Sequence, residues 1–146
     1  MSDFREVTTT FWASPQITAA DVAEAAALGF TLIVNNRPEG EAEDQTPGET
    51  IRATAQAAGM DYRAIPIAPG GFTEDQVQAM AAALEQAQGP VLAYCRSGTR
   101  STLLWSLAQA LNGRDAASIA ADAAGAGYDV GPIRHVLEGL AARSQA

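Results

Sequence analysis

The sequence predicts a three-layer α/β fold in which a mainly parallel central sheet is flanked by helices. Short apolar runs alternate with longer helical patterns along the chain, which is typical of parallel strands joined by helical crossovers. The run from Phe30 to Val34 is a continuous aromatic and β-branched stretch, as expected of a strand covered on both faces. With 146 residues and neither an internal repeat nor a low-complexity linker, residues 1–146 are expected to form one domain.

Four strands are predicted from apolar runs bounded by turn residues. They cover residues 10–13, 30–34, 62–67 and 90–94. The segment between the second and third strands carries Arg37-Pro38 and several acids, so residues 35–45 are expected to form a solvated loop at the carboxyl end of a strand.

Six helices are predicted from start and stop signals. Thr18 and Asp21 form one capping box. Thr46 is expected to cap the second helix, with Pro47 at its first helical position and Glu49 completing the box. The predicted helices cover residues 18–28, 46–58, 73–86, 101–111, 115–123 and 132–143.

Composition limits the classes of function. The formal net charge of −8 argues against nucleic acid or a membrane surface as a partner, because both require a basic surface. The single cysteine excludes an intrachain disulfide and a cysteine-rich metal site, and neither a cofactor nor a metal is predicted. No signal peptide or membrane span is recognisable, so a soluble protein of the cytoplasm is expected.

A short polar loop after the last predicted strand carries that cysteine. Residues 91–101 read Val-Leu-Ala-Tyr-Cys-Arg-Ser-Gly-Thr-Arg-Ser, which indicates a strand, an anion-binding loop and the start of a helix. Backbone N–H groups, the helix dipole and the guanidiniums of Arg96 and Arg100 would all favour the thiolate form of Cys95. A free cysteine is usually a buried small hydrophobic residue, but two arginines and a glycine within five residues are unlike a core position. Cys95 is therefore the predicted nucleophile.

The residues around Cys95 are predicted to bind the substrate, because ligands bind at the carboxyl ends of parallel strands. Arg37 has two interpretations, a substrate-facing residue or a partner of the acids around it. Ser101 also has two, a hydrogen-bond donor to the thiolate or only a helix cap. The predicted substrate-binding residues are Arg37, Arg96, Ser97, Gly98, Thr99 and Ser101.

The first part of the chain resembles known families. Residues 10–18 read Thr-Phe-Trp-Ala-Ser-Pro-Gln-Ile-Thr, and with the following helix, Gly29-Phe30 and residues 35–38 they resemble the opening of dual-specificity protein phosphatases. The resemblance is closer to the bacterial beta-lactamase-hydrolase-like, phosphatase-like domains, also classed as a sulfur transferase family, and extends to about Asn112. It implies a dual-specificity (cysteine) phosphatase-like fold.

The chain departs from the phosphatase pattern in two places. That family implies a His-Cys-x5-Arg loop, but Tyr94 precedes Cys95 here, and only four residues separate Cys95 from Arg100. It also implies a general-acid aspartate after the strand at residues 62–67, where this chain reads Ala-Pro-Gly-Gly. A missing proton donor typically costs a factor of about 10²–10⁴ in the expulsion of an alkoxide.

Residues 95–100, Cys-Arg-Ser-Gly-Thr-Arg, are instead similar to the active loop of rhodanese sulfurtransferases, Cys-Arg-x-Gly-x-Arg. That resemblance implies that Cys95 accepts a sulfane sulfur from a small anionic donor, thiosulfate or a persulfide, and passes it to a thiol acceptor. It also implies a catalytic role for Arg100, either anchoring the loop or binding the donor anion. Sulfur transfer through a Cys95 persulfide is the preferred prediction. The alternatives are hydrolysis of a phosphate ester through a Cys95 phosphoenzyme and an inactive anion-binding module. Relatives fused to metallo-hydrolase domains further imply a role in sulfide detoxification with a persulfide-oxidising partner enzyme.

Overall fold

The central sheet is mainly parallel, as the sequence predicts. A computed structural model describes residues 2–68 and 70–144, and within them five strands form one sheet in the order β1-β2-β5-β3-β4. The antiparallel pair is β1 with β2, and the other neighbouring strands run parallel. The strands are β1 (Arg5–Thr8), β2 (Phe11–Ser14), β3 (Leu32–Asn35), β4 (Asp61–Ala64) and β5 (Val91–Tyr94).

The edge strand β1 is not predicted from the sequence. This strand joins β2 through a tight turn in which the Thr8 hydroxyl accepts hydrogen bonds from the backbone N–H groups of Thr10 and Phe11. Of its four residues only Val7 is buried, so β1 has no apolar run that could identify it.

Helices cover both faces of the sheet, which confirms the three-layer prediction. Val22, Ile33, Ile51 and Leu92 belong to the core between the sheet and the first two helices. The other four helices pack on the opposite face, in the larger core. The helices are α1 (Ala19–Ala27), α2 (Gly48–Ala57), α3 (Glu74–Gln86), α4 (Thr99–Leu111), α5 (Ala116–Gly125) and α6 (Arg134–Ser144), with a short 3₁₀ turn at Gly131–Ile133. None of these helices is long and apolar enough to cross a membrane.

Local signals placed one helix start correctly and another wrongly. The capping box of α1 is present, with the Asp21 amide donating to the Thr18 hydroxyl and the Thr18 amide donating to the Asp21 carboxylate. The predicted Thr46 cap is wrong, because α2 begins at Gly48 and has no side-chain cap from its own first turn. Instead, the Gly48 amide donates to the carboxylate of Glu39 at 3.0 Å. A carboxylate from the preceding loop thus satisfies the helix N-terminus.

Strand β4 ends earlier than the predicted residue 67, yet its backbone pairing with the next strand continues. The amides of Ile65 and Ile67 donate to the carbonyls of Asn35 and Asn36, each at 2.9 Å. This pairing holds the start of the loop after β4 against the carboxyl end of β3. As a result the Ile67 carbonyl comes to lie beside the predicted site.

Candidate active site

Residues Cys95–Arg100, called the Cys95 loop from here on, follow the central strand of the sheet. Neighbouring strands hold the chain on either side of Cys95. The Cys95 amide donates to the Ser14 carbonyl at 3.3 Å, and the Tyr94 carbonyl accepts from the Asn36 amide at 2.8 Å. The Gln16 amide then donates to the Arg96 carbonyl at 3.3 Å. The backbone on which the thiol is mounted is therefore fixed by both parallel neighbours of β5.

The Cys95 thiol is buried and lies at a helix N-terminus. The Gly98 amide donates a hydrogen bond to Cys95 Sγ at 3.1 Å. Gly98 is also the N-cap of α4, a helix of 13 residues whose dipole places partial positive charge at this end. An amide donor and a helix N-terminus both stabilise negative charge on sulfur, which an apolar core position would not.

Gly98 has a backbone conformation that a larger residue would adopt only with strain. Its φ of +94° lies in the left-handed region, where L side chains are strained. A Cβ at Gly98 would also overlap the hydroxyl of Tyr128. The Gly98 carbonyl accepts from both the amide and the hydroxyl of Thr102, at 3.0 and 2.9 Å. The N–H and C=O groups of Gly98 are therefore both hydrogen-bonded.

Arg100 connects the loop to two distant segments. Its Nη1 donates to Glu41 Oε2 and to the Ile67 carbonyl, each at 2.8 Å, and its Nη2 donates to Glu41 Oε1 at 2.9 Å. The hydrogen bonds with Glu41 raise the pKa of Arg100, and the nearby Cys95 contributes in the same direction while burial opposes it. The Nε–H group and one Nη2–H group are not used in these three bonds, so the guanidinium retains donors for an anion.

Glu41 is shared between Arg100 and Arg37. Arg37 is only 5% exposed, and it donates to Glu41 Oε1 and to the Gln16 side chain, each at 3.0 Å. Hydrogen bonds from Arg100 first, and then from Arg37, lower the pKa of Glu41 to about 2 against the opposing effect of burial. The structure thus pairs Arg37 with an acid of its own loop, and connects it to the Cys95 loop through that acid.

The other predicted binding residues fall into two groups. Ser97 and Thr99 lie at the exposed rim, where the Ser97 hydroxyl bonds the Thr99 hydroxyl at 3.0 Å and accepts from the Thr99 amide at 3.3 Å. Arg96 is exposed beside them. Ser101 is different, because it is fully buried and its hydroxyl has no hydrogen-bond partner among the described residues. Both interpretations of Ser101 are therefore wrong, since Gly98 occupies the N-cap position of α4 and the Ser101 hydroxyl makes no hydrogen bond to the Cys95 sulfur.

The loop after β4 brings no carboxylate to the site. Between Ile65 and Thr73 the chain contains no acidic residue, and Pro69 lies outside the described residues. Glu74 and Asp75 are both exposed in the first turn of α3, where carboxylates favourably face the helix dipole.

Two residues at the site escaped the sequence analysis. Glu41 is one of several acids in its loop, and nothing in the local pattern distinguishes the one that reaches Arg100. Tyr128 follows α5, and its hydroxyl donates to the Ser97 carbonyl at 3.1 Å. A lone tyrosine beside Gly127 and Asp129 in a turn carries no catalytic signature, so only the tertiary structure could find it.

The fold and this loop define the class of protein. A mainly parallel five-stranded sheet flanked by helices is the fold of dual-specificity and tyrosine phosphatases. Residues 3–112 match the family described as "Beta-lactamase hydrolase-like protein, phosphatase-like domain", and the chain belongs to that family.

Individual relatives agree with this assignment. A beta-lactamase hydrolase-like protein of Agrobacterium fabrum is 41% identical over 95 residues, which are 65% of this chain and 22% of that protein. This chain therefore spans about a fifth of the length of that curated relative. The crystal structure of a candidate phosphatase from Neisseria meningitidis is 31% identical, with a TM-score of 0.83 over 96% of this chain and 99% of the other. P. aeruginosa TpbA, as a cysteine-to-serine variant with phosphotyrosine, shares the fold at 18% identity, with a TM-score of 0.64 over 96% and 90% of the two chains.

Proposed function

We propose that the Cys95 loop transfers sulfane sulfur through a persulfide on Cys95. The observation that carries this proposal is that the described residues bring no free carboxylic acid to the site. The loop after β4 contains none between Ile65 and Thr73, and both Arg100 and Arg37 donate hydrogen bonds to the carboxylate of Glu41. With a pKa of about 2 it stays ionised near neutral pH, and therefore has no proton to give to a leaving alkoxide. Sulfur transfer needs no such proton, because sulfite or a thiolate leaves as a stable anion.

The reaction balances without an external oxidant. The Cys95 thiolate attacks the outer sulfur of thiosulfate, the bond between the two sulfur atoms of the donor breaks, and sulfite leaves with the electron pair. The resulting persulfide carries its negative charge on the terminal sulfur. An acceptor thiolate then attacks that terminal sulfur, forms the new sulfur–sulfur bond and releases the Cys95 thiolate.

The dimensions of the loop favour a small transferred group. Four residues separate Cys95 from Arg100, one fewer than the phosphatase pattern implies, so one backbone amide is missing from the cradle. The Gly98 amide already lies 3.1 Å from Sγ, and Cys95 is fully buried. A single terminal sulfur requires less space and fewer donors than a tetrahedral phosphoryl group.

Phosphate-ester hydrolysis is the second candidate, and the fold comparisons favour it. TpbA, which shares the fold, holds phosphotyrosine in the cysteine-to-serine variant. The two N–H groups of Arg100 that remain outside its three hydrogen bonds could also bind two oxygens of a phosphate ester. In this alternative Cys95 forms a phosphoenzyme, and the leaving group departs without a proton donor from the loop after β4.

One experiment separates the two candidates. Wild-type protein and Cys95→Ser are incubated with thiosulfate, or separately with an aryl phosphate, and are examined by intact-protein mass spectrometry and by phosphate release. We expect a mass gain of one sulfur atom on the wild type that disappears on addition of cyanide or a thiol. Because Cys95 is the only cysteine, the adduct needs no further mapping.

Each other outcome contradicts sulfur transfer. Phosphate release that depends on Cys95, without a sulfur adduct, would establish the phosphatase alternative. Binding of sulfate or phosphate that is equal in wild type and Cys95→Ser, with neither reaction, would instead identify an anion-binding module.

A further inference from the structure

One peptide group in the Cys95 loop is hydrogen-bonded at both of its ends. Its N–H end belongs to Gly98 and donates to Cys95 Sγ at 3.1 Å. Its C=O end belongs to Ser97 and accepts from the Tyr128 hydroxyl at 3.1 Å. Because the peptide is planar and trans, fixing the carbonyl also fixes the direction of the N–H bond.

This peptide would otherwise be free to rotate. Gly98 has φ +94°, and glycine adopts positive and negative φ with similar ease. A concerted change of the Ser97 ψ and the Gly98 φ would turn the N–H away from sulfur with little movement of the flanking chain. A hydrogen bond to the carbonyl opposes that rotation, and it also polarises the peptide so that its N–H becomes a better donor.

Tyr128 is itself held firmly in place. It is 6% exposed, its amide donates to the Ala123 carbonyl at 3.0 Å, and the Arg5 guanidinium lies 5.3 Å from the centre of its ring. Burial raises the pKa of Tyr128 against the opposing effect of Arg5, so its hydroxyl stays protonated and can donate near neutral pH. The phenol is thus a fixed donor, which extends from the turn after α5 and packs against Arg5 of β1.

We propose that Tyr128 is a positioning residue that holds the Gly98 N–H group on the Cys95 sulfur. This inference rests on the proposed function in so far as Cys95 is the nucleophile. It applies whether the transferred group is sulfur or phosphoryl. Tyr128 lies outside residues 3–112, so a segment beyond the matched family region helps to build the reactive loop.

The test is Tyr128→Phe, which keeps the ring and removes only the hydroxyl. Thiolate absorbance in the ultraviolet is followed against pH, with the same spectra of the matching Cys95→Ser proteins subtracted. We expect the pH midpoint of thiolate formation to rise by about 0.5–1 unit, because one charge-stabilising donor is no longer held in place. At pH values below the wild-type midpoint, sulfur transfer should fall about 3–10-fold, and it should recover as the pH is raised past the new midpoint.

Tyr62→Phe is the matched control. Tyr62 is a partly buried tyrosine whose hydroxyl accepts from the Asn35 side chain at 2.9 Å, so its substitution also removes one side-chain hydrogen bond. The pH midpoint of thiolate formation in Tyr62→Phe should equal that of the wild type. An unchanged midpoint in folded Tyr128→Phe, or an equal shift in both variants, would overturn the positioning role. The titration depends only on the thiol, so a failure of sulfur transfer in the wild type would refute the proposed function and leave this test readable.

Discussion

Two loops at the same edge of the sheet are built very differently. The Cys95 loop is constrained by bonds from many parts of the chain: from Ser14 and Gln16 on and after β2, from Glu41 after β3, and from Tyr128 after α5. The loop after β4 is held mainly by backbone bonds from Ile65 and Ile67 to the end of β3, and it carries no acid between Ile65 and Thr73. Among the described residues it contacts the site through the Ile67 carbonyl.

This difference separates two chemical tasks, the stabilisation of an anionic nucleophile and the donation of a proton to a leaving group. Stabilisation of an anionic nucleophile is preorganised by an amide, a helix N-terminus and a guanidinium, none of which must reorient during reaction. Proton donation to a leaving group is not provided by the second loop. A reaction whose leaving group is already a stable anion matches that division.

The largest expected effect comes from Arg100→Lys. A lysine cannot keep two bonds to Glu41, one to the Ile67 carbonyl and further donors for an anion, because the guanidinium fork is lost. We expect kcat/KM for sulfur transfer from thiosulfate to fall by about 10²-fold. Arg63→Lys replaces an exposed arginine on β4, and its kcat/KM should stay within about twofold of the wild-type value. Equal activity of both variants would show that the guanidinium is not needed at the loop.

Gly98→Ala tests how tightly the Cys95 loop is packed. Gly29→Ala is a matched control, since both glycines have φ +94° but only Gly98 has Tyr128 against the position of a Cβ. Gly29→Ala should lose about 1–2 kcal/mol of unfolding free energy, because an L side chain is strained at this φ. Gly98→Ala should lose more, because its Cβ also overlaps the Tyr128 side chain. Sulfur transfer should fall about tenfold in Gly98→Ala alone, since displacement of Tyr128 frees the Gly98 amide. Denaturant unfolding and turnover of both variants measure this, and a similar loss of turnover at both positions would contradict it.

Glu41→Gln tests the ion pair that connects the two arginines. The folded-state pKa of about 2 lies below the ordinary value of 4.5, so the stabilisation is present above pH 4.5 and is lost as the pH falls towards 2. The Glu41 side chain is 20% exposed, so solvent screens its ion pairs. Ionised Glu41 should therefore contribute about 1 kcal/mol to the free energy of unfolding. The stability difference between wild type and Glu41→Gln should therefore shrink across that interval. Glu43→Gln, which replaces an exposed acid of the same loop, is the control.

The smallest expected effect comes from Gly70→Asp, which places an acid in the second loop. A Cβ at Gly70 would meet open space, and the backbone there is not in the left-handed region, so an aspartate should be tolerated. Sulfur transfer should stay within about twofold, because its leaving group needs no proton. A rise in aryl phosphate hydrolysis of about 10–10²-fold over Gly70→Asn would instead favour the phosphatase alternative.

Much of the architecture follows from local patterns. Capping boxes at Thr18 and Thr73 mark the starts of α1 and α3, because the side chain and the amide it satisfies are three residues apart. Apolar runs mark the buried strands, but an edge strand with one buried residue leaves no such trace. The start of α2 escaped for a related reason, since Glu39 caps Gly48 from nine residues away.

Local patterns are sufficient to predict the alternation of strands and helices, and a cysteine loop in which Cys95, Gly98 and Arg100 lie within six consecutive residues. The residues that hold that loop in place depend on long-range packing. Glu41 reaches Arg100 across 59 positions of sequence, and Tyr128 reaches Ser97 across 31. The physical reason is that a local motif specifies its own backbone conformation, whereas the partners of its polar groups depend on how distant elements pack against the sheet.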